Sequence, residues 1–298
     1  MKRISIIWAL IPCMLHAQML RVEAGTDDPM TLRFNEAFVQ RNGIVSIEGQ
    51  GNVKRDGEPI RQKNERAEYR FDAAGRITYS NTSYGRSSSA MDTSYVTYAY
   101  DMKGRLFEQQ RSDRSGRFAQ RDSLDTAGHC LRRTHVRIQE PVTGGYTSAK
   151  VTETIISDER FAYATMNDTA EQVTWHNDRG LPYREQIFQK DRWGYLRVIE
   201  DRNIITGRRG RTSFRYDEKG RLAERIEQSD ISSNSTRKHI WRYDQTGNVT
   251  LCDAWRDEKQ TRHSEYLYEE GTLLLKAIIA KDMESGLIHI TRFTTQRR

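Results

Sequence analysis

The chain has 298 residues, with 48 Lys and Arg against 41 Asp and Glu and a formal charge of +7. That length allows one or two domains. The cations are interleaved with carboxylates, as in RYDEKGRLAER (215–225), which suits a solvated face with cross-strand ion pairs and excludes a nucleic-acid track.

The first stretch reads MKRISIIWALIPCMLHAQ. Lys2 and Arg3, an apolar run over 4–15 and the small residue Ala17 predict a secretory signal peptide over 1–17, cleaved after Ala17. The run is too short to span a bilayer. Lipid attachment at Cys13 is an alternative that Pro12 fits poorly. Loss of Lys2 and Arg3 takes the charge from +7 to +5. The expected location is outside the cytoplasm: periplasmic, on the outer surface or secreted. No later run is apolar enough for a membrane span, and LLLKAIIA (273–280) reads as a buried strand.

Residues 18–64 read as an N-terminal segment or cap. FNEAFVQRNGIVSIEG predicts a strand or a short helical cap, and NVKRDGEPIRQ carries a turn at Asp56-Gly57. Residues 65–298 read as one repeat domain. The turn tetrapeptide recurs at Asp72/Gly75, Asp101/Gly104, Asp125/Gly128, Asn177/Gly180, Asp217/Gly220 and Asp244/Gly247. The wide gap before Gly180 predicts a degenerate copy over 159–173, with Phe161 and Tyr163 two apart and a turn at Asn167-Asp168. Before the turns, aromatics alternate with mostly polar residues: Tyr69/Phe71, Tyr98/Tyr100, Phe214/Tyr216, Trp241/Tyr243 and Tyr266/Tyr268. Positions two apart share one face of a strand.

Asp-x-x-Gly is a type I turn whose glycine takes positive φ as a bulge, so each unit is a β-hairpin of fixed register. Phe71 should face Ile77, Tyr100 Leu106, Tyr216 Leu222 and Tyr243 Val249, with Tyr98 opposite Glu108. A lone hairpin is marginal. Successive hairpins must therefore pair edge to edge, with their aromatic rings stacked in a ladder that forms the core. The predicted fold is all-β: a meander of consecutive antiparallel hairpins in a twisted or coiled sheet, with little helix. Residues 84–94 and 140–150, the latter with Gly144-Gly145 at its tip, read as loops. A final hairpin over 276–293, turning between Asp282 and Gly286, closes the array.

Catalytic signatures such as H-E-x-x-H, G-x-S-x-G and a Walker loop are absent from the sequence. The turn residues Asp72, Asp101, Asp125, Asp217 and Asp244 read as turn caps, since catalysis needs one or two placed carboxylates rather than one per repeat. His129, Cys130 and His135 are close in sequence, but a metal needs three or four converging ligands, and they read as strand residues on different faces. No metal or cofactor is expected. Export would permit a disulfide between Cys130 and Cys252; Cys252 reads equally as core filling. GRRGR (207–211) reads as a solvated basic loop. Trp193 and Trp255 fall outside the ladder register and are the candidate ligand-binding residues, as platforms for a sugar ring.

Aromatic-x-Tyr-Asp-x-x-Gly-Arg-Leu resembles the YD repeat of the Rhs and teneurin proteins, best at 98–106 and 214–222 and more loosely at 71–77 and 241–249. The resemblance spans about 65–275. It implies long β-ribbons coiled into shells around a C-terminal cargo, exported or surface-exposed proteins, and carbohydrate binding. Here the spacing is irregular, the hairpins are too few for a large shell, and no toxin domain follows. The expected function is therefore non-enzymatic: an exported binding or scaffold protein of the envelope or exterior, with a glycan or another envelope or secreted protein as partner and no nucleic acid. A miniature Rhs-type component that partners a secreted effector is the first alternative. An enzyme is the second.

Overall fold

The computed structural model describes residues 18–85, 92–139 and 151–298. The predicted signal peptide with its cleavage site, residues 86–91 of the Ser-rich loop and the 140–150 loop lie outside the described residues. A short helix, α1 (Glu36–Arg41), precedes a run of strands: β1 (Ile44–Lys54), β2 (Arg61–Phe71), β3 (Ile77–Gly85), β4 (Asp92–Tyr100), β5 (Leu106–Asp113) and β6 (Gly116–Leu124). Then come β7 (Cys130–Gln139), β8 (Thr152–Asn167), β9 (Ala170–His176), β10 (Pro182–Lys190), β11 (Leu196–Asn203) and β12 (Arg209–Tyr216). The last are β13 (Leu222–Gln228), β14 (Arg237–Tyr243), β15 (Val249–Arg256), β16 (Lys259–Tyr268), β17 (Leu275–Asp282) and β18 (Ile288–Arg297).

Each strand pairs antiparallel with the next, as an all-β meander requires. The sheet is not an open ribbon, however. β1 pairs with β18 from Ile44↔Arg297 to Lys54↔Ile288, and the 18 strands close into a barrel. Closure removes both exposed edges, the alternative to capping them. The predicted last hairpin is present as β17–β18. The 18–64 stretch divides at Gly43: what precedes it lies inside the ring, while β1 is the closing strand of the wall.

Asp72 shows how a turn is built. Its Oδ1 accepts the amides of Ala74 and Arg76 at 2.9 Å each, and its Oδ2 accepts Arg76 Nε at 2.8 Å. Gly75 has φ +84°, where a side chain would be strained; an added Cβ would also run into the Glu36 carbonyl oxygen of α1. Asp101 with Arg105 and Asp217 with Arg221 repeat the pattern. His129 and Asn248 take the arginine's place beside Asp125 and Asp244. At Asp72 burial pulls the carboxyl pKa upward, but the Arg76 guanidinium and the turn amides outweigh it and hold it below the usual range. The degenerate copy is present too, as β8 and β9 joined at Asn167, whose side chain caps Thr169 N at 2.9 Å.

The four predicted aromatic–aliphatic pairs occur: Phe71↔Ile77, Tyr100↔Leu106, Tyr216↔Leu222 and Tyr243↔Val249. One residue later the register departs from expectation. Tyr98 faces Gln109, and Ala99 faces Glu108, because Phe107 is inserted as a second bulge. Thr78, Ala223 and Thr250 are inserted in the same way. A one-residue bulge adds twist and swaps the two faces beyond it. Glu108 is thereby carried to the outer wall, where its carboxylate meets Arg121.

The second bulge also explains the tyrosine that recurs before Asp101, Asp217 and Asp244. The ladder between β3 and β4 begins at Tyr79↔Thr97, so the Ile77 carbonyl lies before its first rung. Tyr100 Oη donates to that carbonyl at 2.8 Å. Tyr216 does the same to Leu196 O at 2.8 Å, Tyr243 to Leu222 O at 2.6 Å and Tyr268 to Val249 O at 2.9 Å. In the degenerate unit Tyr163 bonds Cys130 O at 3.1 Å. Each tyrosine thus satisfies a carbonyl that the preceding hairpin leaves without a strand partner.

The rings do not form the expected continuous stack. Tyr195 and Tyr216 touch, with centroids 4.8 Å apart, and Phe161, Trp175 and Tyr183 meet edge-on, but guanidinium groups intervene at other hairpins. Arg76 lies 4.8 Å over Tyr100 and Arg221 4.4 Å over Tyr243. The wall is therefore laced by tyrosine hydroxyls and cation–π contacts.

Candidate functional site

A ring of 18 strands is wide enough to leave an aqueous lumen. Here the lumen is partly filled by the chain itself. Residues 19–35 fold back as a short hairpin: Arg21 N donates to Arg33 O at 2.8 Å and Asn35 N to Met19 O at 2.9 Å. The hairpin borders Phe71, Ile77 and Tyr100 on one side and Trp241, Val249 and Tyr266 on the other, so it sits within the ring. Met19, Leu20, Phe38 and Val39 pack with Phe214, Leu222, Trp241 and Leu275 into the main core.

Three spaces remain around the hairpin. One of about 510 Å³ lies toward β2–β5 and one of about 220 Å³ toward Trp241 and Tyr266. The third, about 330 Å³, lies between the hairpin tip at Thr26 and β10–β13. Its walls are polar. Arg184 and Gln186 both donate to Asp201, the latter at 2.7 Å. Arg225 is only 6% exposed. It donates to the Asp27 carbonyl and approaches Glu227 at 3.3 Å. Burial lowers the Arg225 pKa from the ordinary arginine range, and burial together with Arg225 lowers that of His239 next to it in register. Alternation through Leu222 alone would turn Arg225 outward; the Ala223 bulge turns it into the lumen. Sequence reasoning therefore missed it.

The two flagged tryptophans lie apart. Trp193 is the third residue of a turn that the sequence reading overlooked. Asp191 Oδ1 caps Trp193 N at 2.9 Å, Gly194 has φ +87°, and Arg197 Nε binds Asp191 Oδ2 at 2.7 Å. The signal was masked because Lys190 stands where other units carry tyrosine, and Tyr195 where they carry arginine. The Trp193 ring is 66% exposed, with Arg192 4.0 Å over it. Trp255 lies on the outer face of β15, with Lys238 Nζ 5.0 Å over its ring. On the same face Asp253 accepts Gln260 Nε2 at 2.7 Å and contacts His263 Nδ1 at 2.6 Å. That bond to Asp253 raises the His263 pKa.

Because the meander alternates, the turns after even-numbered strands share one end of the barrel. Asp72, Asp101, Asp217 and Asp244, with Gly75, Gly104, Gly220 and Gly247, all lie there; the Asn177 turn follows β9 at the other end. Cys130 and Cys252 are both free, and burial pushes the Cys252 thiol up to about 12. His129 stacks on Tyr163 at 4.6 Å and pairs with Asp125, while His135 lies opposite Gln120. Among the described residues no group of three His, Cys, Asp or Glu is placed to hold a metal. No helix among them is long and apolar enough to cross a membrane.

No family model and no curated protein matches the chain. Several solved structures resemble it weakly. A porin-like protein from Bacteroides uniformis is 12% identical, with 85% of this chain and 98% of that one covered, at a TM-score of 0.41. The LolA superfamily protein NE2245 from Nitrosomonas europaea is 10% identical over 86% of this chain and 87% of its own, at 0.24. A Photorhabdus luminescens Tc holotoxin pore is 11% identical over 75% of this chain and 14% of its own, at 0.21. Similarities this slight carry no function across.

Proposed function

We propose that the chain is an exported, non-enzymatic YD-repeat-type barrel that serves as a binding or scaffold protein on the aqueous side of an envelope or outside the cell, with carbohydrate as its candidate ligand. The observation that carries this reading is the charged outer wall. Arg121 binds Glu153 at 2.7 Å, Arg132 binds Asp158 at 2.7 Å, and Arg215 approaches Glu224 at 3.6 Å, all on the face opposite the hairpin. Charges at such positions on a lipid-facing barrel cost about 2–4 kcal/mol each at the bilayer midplane, so this wall suits water. The lumen is partly filled by the chain's own hairpin, which argues against the cargo shell that the YD-repeat resemblance implies.

Trp255 supports the carbohydrate arm: an indole face lies beside a carboxylate, an amide and an imidazole, the groups that stack on and hydrogen-bond a sugar ring. Titration calorimetry with a panel of soluble cell-wall saccharides tests it. Binding that Trp255→Ala weakens at least tenfold is expected, and silence across the panel removes carbohydrate as the ligand. Fractionation tests the rest. The mature protein should leave the cell or envelope without detergent, and a requirement for detergent would overturn the water-facing reading.

A further inference from the structure

The lumen hairpin is anchored from its first residues. Met19 is fully buried; its Sδ accepts the Leu275 amide at 2.9 Å and its carbonyl accepts the Asn35 amide at 2.9 Å. Val249, Leu274 and Leu275 share the core with it. Gln18, half-buried, is the residue ahead of this anchor. Its side chain lies on the β14–β15 turn, where Gly247 has φ +96° and an added Cβ would strike the Gln18 amide.

The expected cleavage after Ala17 frees the α-amine of Gln18, one residue before a fully buried side chain. A cut one residue further on would put a charged terminus on Met19 itself, which an apolar core does not tolerate. The sequence boundary and the structural boundary therefore coincide. On half-buried Gln18 an ammonium still loses part of its hydration. Glutamine at a chain start has its own way to shed that charge. The α-amine, with an ordinary pKa of about 7.7–8.0, is partly neutral and nucleophilic near neutral pH. Its nitrogen attacks Cδ of the same residue, and the new C–N bond closes a five-membered lactam. The Cδ–Nε2 bond breaks, and Nε2 leaves as ammonia with a proton from the attacking amine. The step needs no oxidant, reductant or co-reactant.

We propose that Gln18 is a modification site: after export and cleavage the mature chain begins with a pyroglutamyl residue, an uncharged lactam packed on the Gly247 turn. The proposal rests on the exported reading and is independent of carbohydrate binding at Trp255. The lactam removes the terminal charge beside Met19 and blocks aminopeptidases, so the hairpin that fills the lumen cannot be trimmed from its anchored end.

Intact mass and stepwise sequencing of the chain purified from its native cell test this. The protein should be one ammonia lighter than residues 18–298 with a free amine, and blocked to sequencing until pyroglutamyl peptidase removes the lactam. The peptidase should act readily on the tryptic peptide that ends at Arg21. On the folded chain it should be at least about tenfold slower, because local opening must precede cleavage. Gly247→Ala, which pushes residue 18 off the turn, should speed cleavage of the folded chain; should that variant fail to fold, the wild-type mass and the two wild-type rates still decide. A mature chain that begins at Gln18 with a free amine overturns the proposal and leaves export standing. One that begins at any other residue overturns it together with the cleavage site. Equal peptidase rates on the peptide and the folded chain overturn the packed lactam.

Discussion

The two sides of the barrel are held together differently. From β10 round through β18 to β2, the lumen face packs against the N-terminal hairpin and α1, and the main core draws on almost every strand of that arc. From β4 to β9 it draws on none. There Arg133 and Asp122 pair at 2.7 Å on the lumen side, and the small cluster of Ala119, Val136 and Ile138 lies on the outer face beside Arg132 and Asp158, which pair at 2.7 Å. The same hairpin unit therefore builds wall with or without a core behind it. What both arcs share is the capped turn and the tyrosine that ties one hairpin to the next, so the repeat specifies wall and the N-terminal segment specifies where that wall is packed.

The largest expected effect probes the packing itself. Phe214 is 2% exposed within the main core. Phe214→Ala should destabilise the fold by about 3–5 kcal/mol, from lost transfer energy and the cavity left behind. Phe118 on β6, which lies under Arg111 at 5.5 Å, should cost less than about half of that when cut to alanine. Urea melts of the two variants measure the difference. Equal costs would mean that the two arcs are packed alike, contrary to the comparison.

Glycine substitutions sharpen the role of the turn end. Gly220 has φ +75°, and an added Cβ would strike the Tyr195 hydroxyl. Gly180, at the opposite end, also has φ +75° but nothing within 4 Å of that position. Gly180→Ala should cost about 1–2 kcal/mol, the left-handed penalty alone, and Gly220→Ala about 1 kcal/mol more for displacing Tyr195. Thermal melts check the ranking, and a reversed order would mean that the turn end is loose.

Acid should open the charged arc first. At Asp101 the Arg105 amide, and at Asp158 the Arg132 guanidinium, lead the interactions that hold these carboxyls below their usual pKa. A carboxylate depressed in the folded state contributes stability that is present above its unfolded pKa, about 3.9, and lost as pH falls through the folded value. Hydrogen exchange should therefore show β4–β9 amides losing protection below about pH 4, before those of β11–β17. The opposite order would contradict an ion-paired arc beside a packed one.

Much of the wall was legible because the Asp-x-x-Gly turn is local. Its glycine, its capping carboxylate and the first cross-strand pair all follow from a few adjacent residues. The insertions at Thr78, Phe107, Ala223 and Thr250 were not legible, because a bulge carries no residue signature of its own, and each one exchanges inside for outside. That is why Glu108 was expected opposite Tyr98 and why Arg225 gave no sign of being in the lumen. The Asp191 turn was hidden by two substitutions at its marker positions. Closure through β1 and β18 joins residues about 250 apart, which no local pattern announces.

The smallest effect tests the device common to both arcs. Tyr243 donates to Leu222 O at 2.6 Å in the packed arc, and Tyr100 donates to Ile77 O at 2.8 Å beside the largest space around the hairpin. Tyr→Phe removes one hydroxyl and strands one carbonyl. Where water can reach that carbonyl the cost should be about 1 kcal/mol, and where it cannot the cost rises toward about 2 kcal/mol. Tyr243→Phe should therefore be the more damaging of the two in urea melts. Burial pushes Tyr100 up to about 12 and Tyr243 further in the same direction. A phenol raised in the folded state contributes stability that is complete below its unfolded pKa near 10 and lost as pH climbs through the folded value. The wild-type chain should thus weaken between about pH 10 and 12, and Tyr243→Phe should flatten that decline by more than Tyr100→Phe. If neither variant changes the alkaline limb, the hydroxyl bridges do not join the hairpins, and the strand ladders alone hold the ring closed.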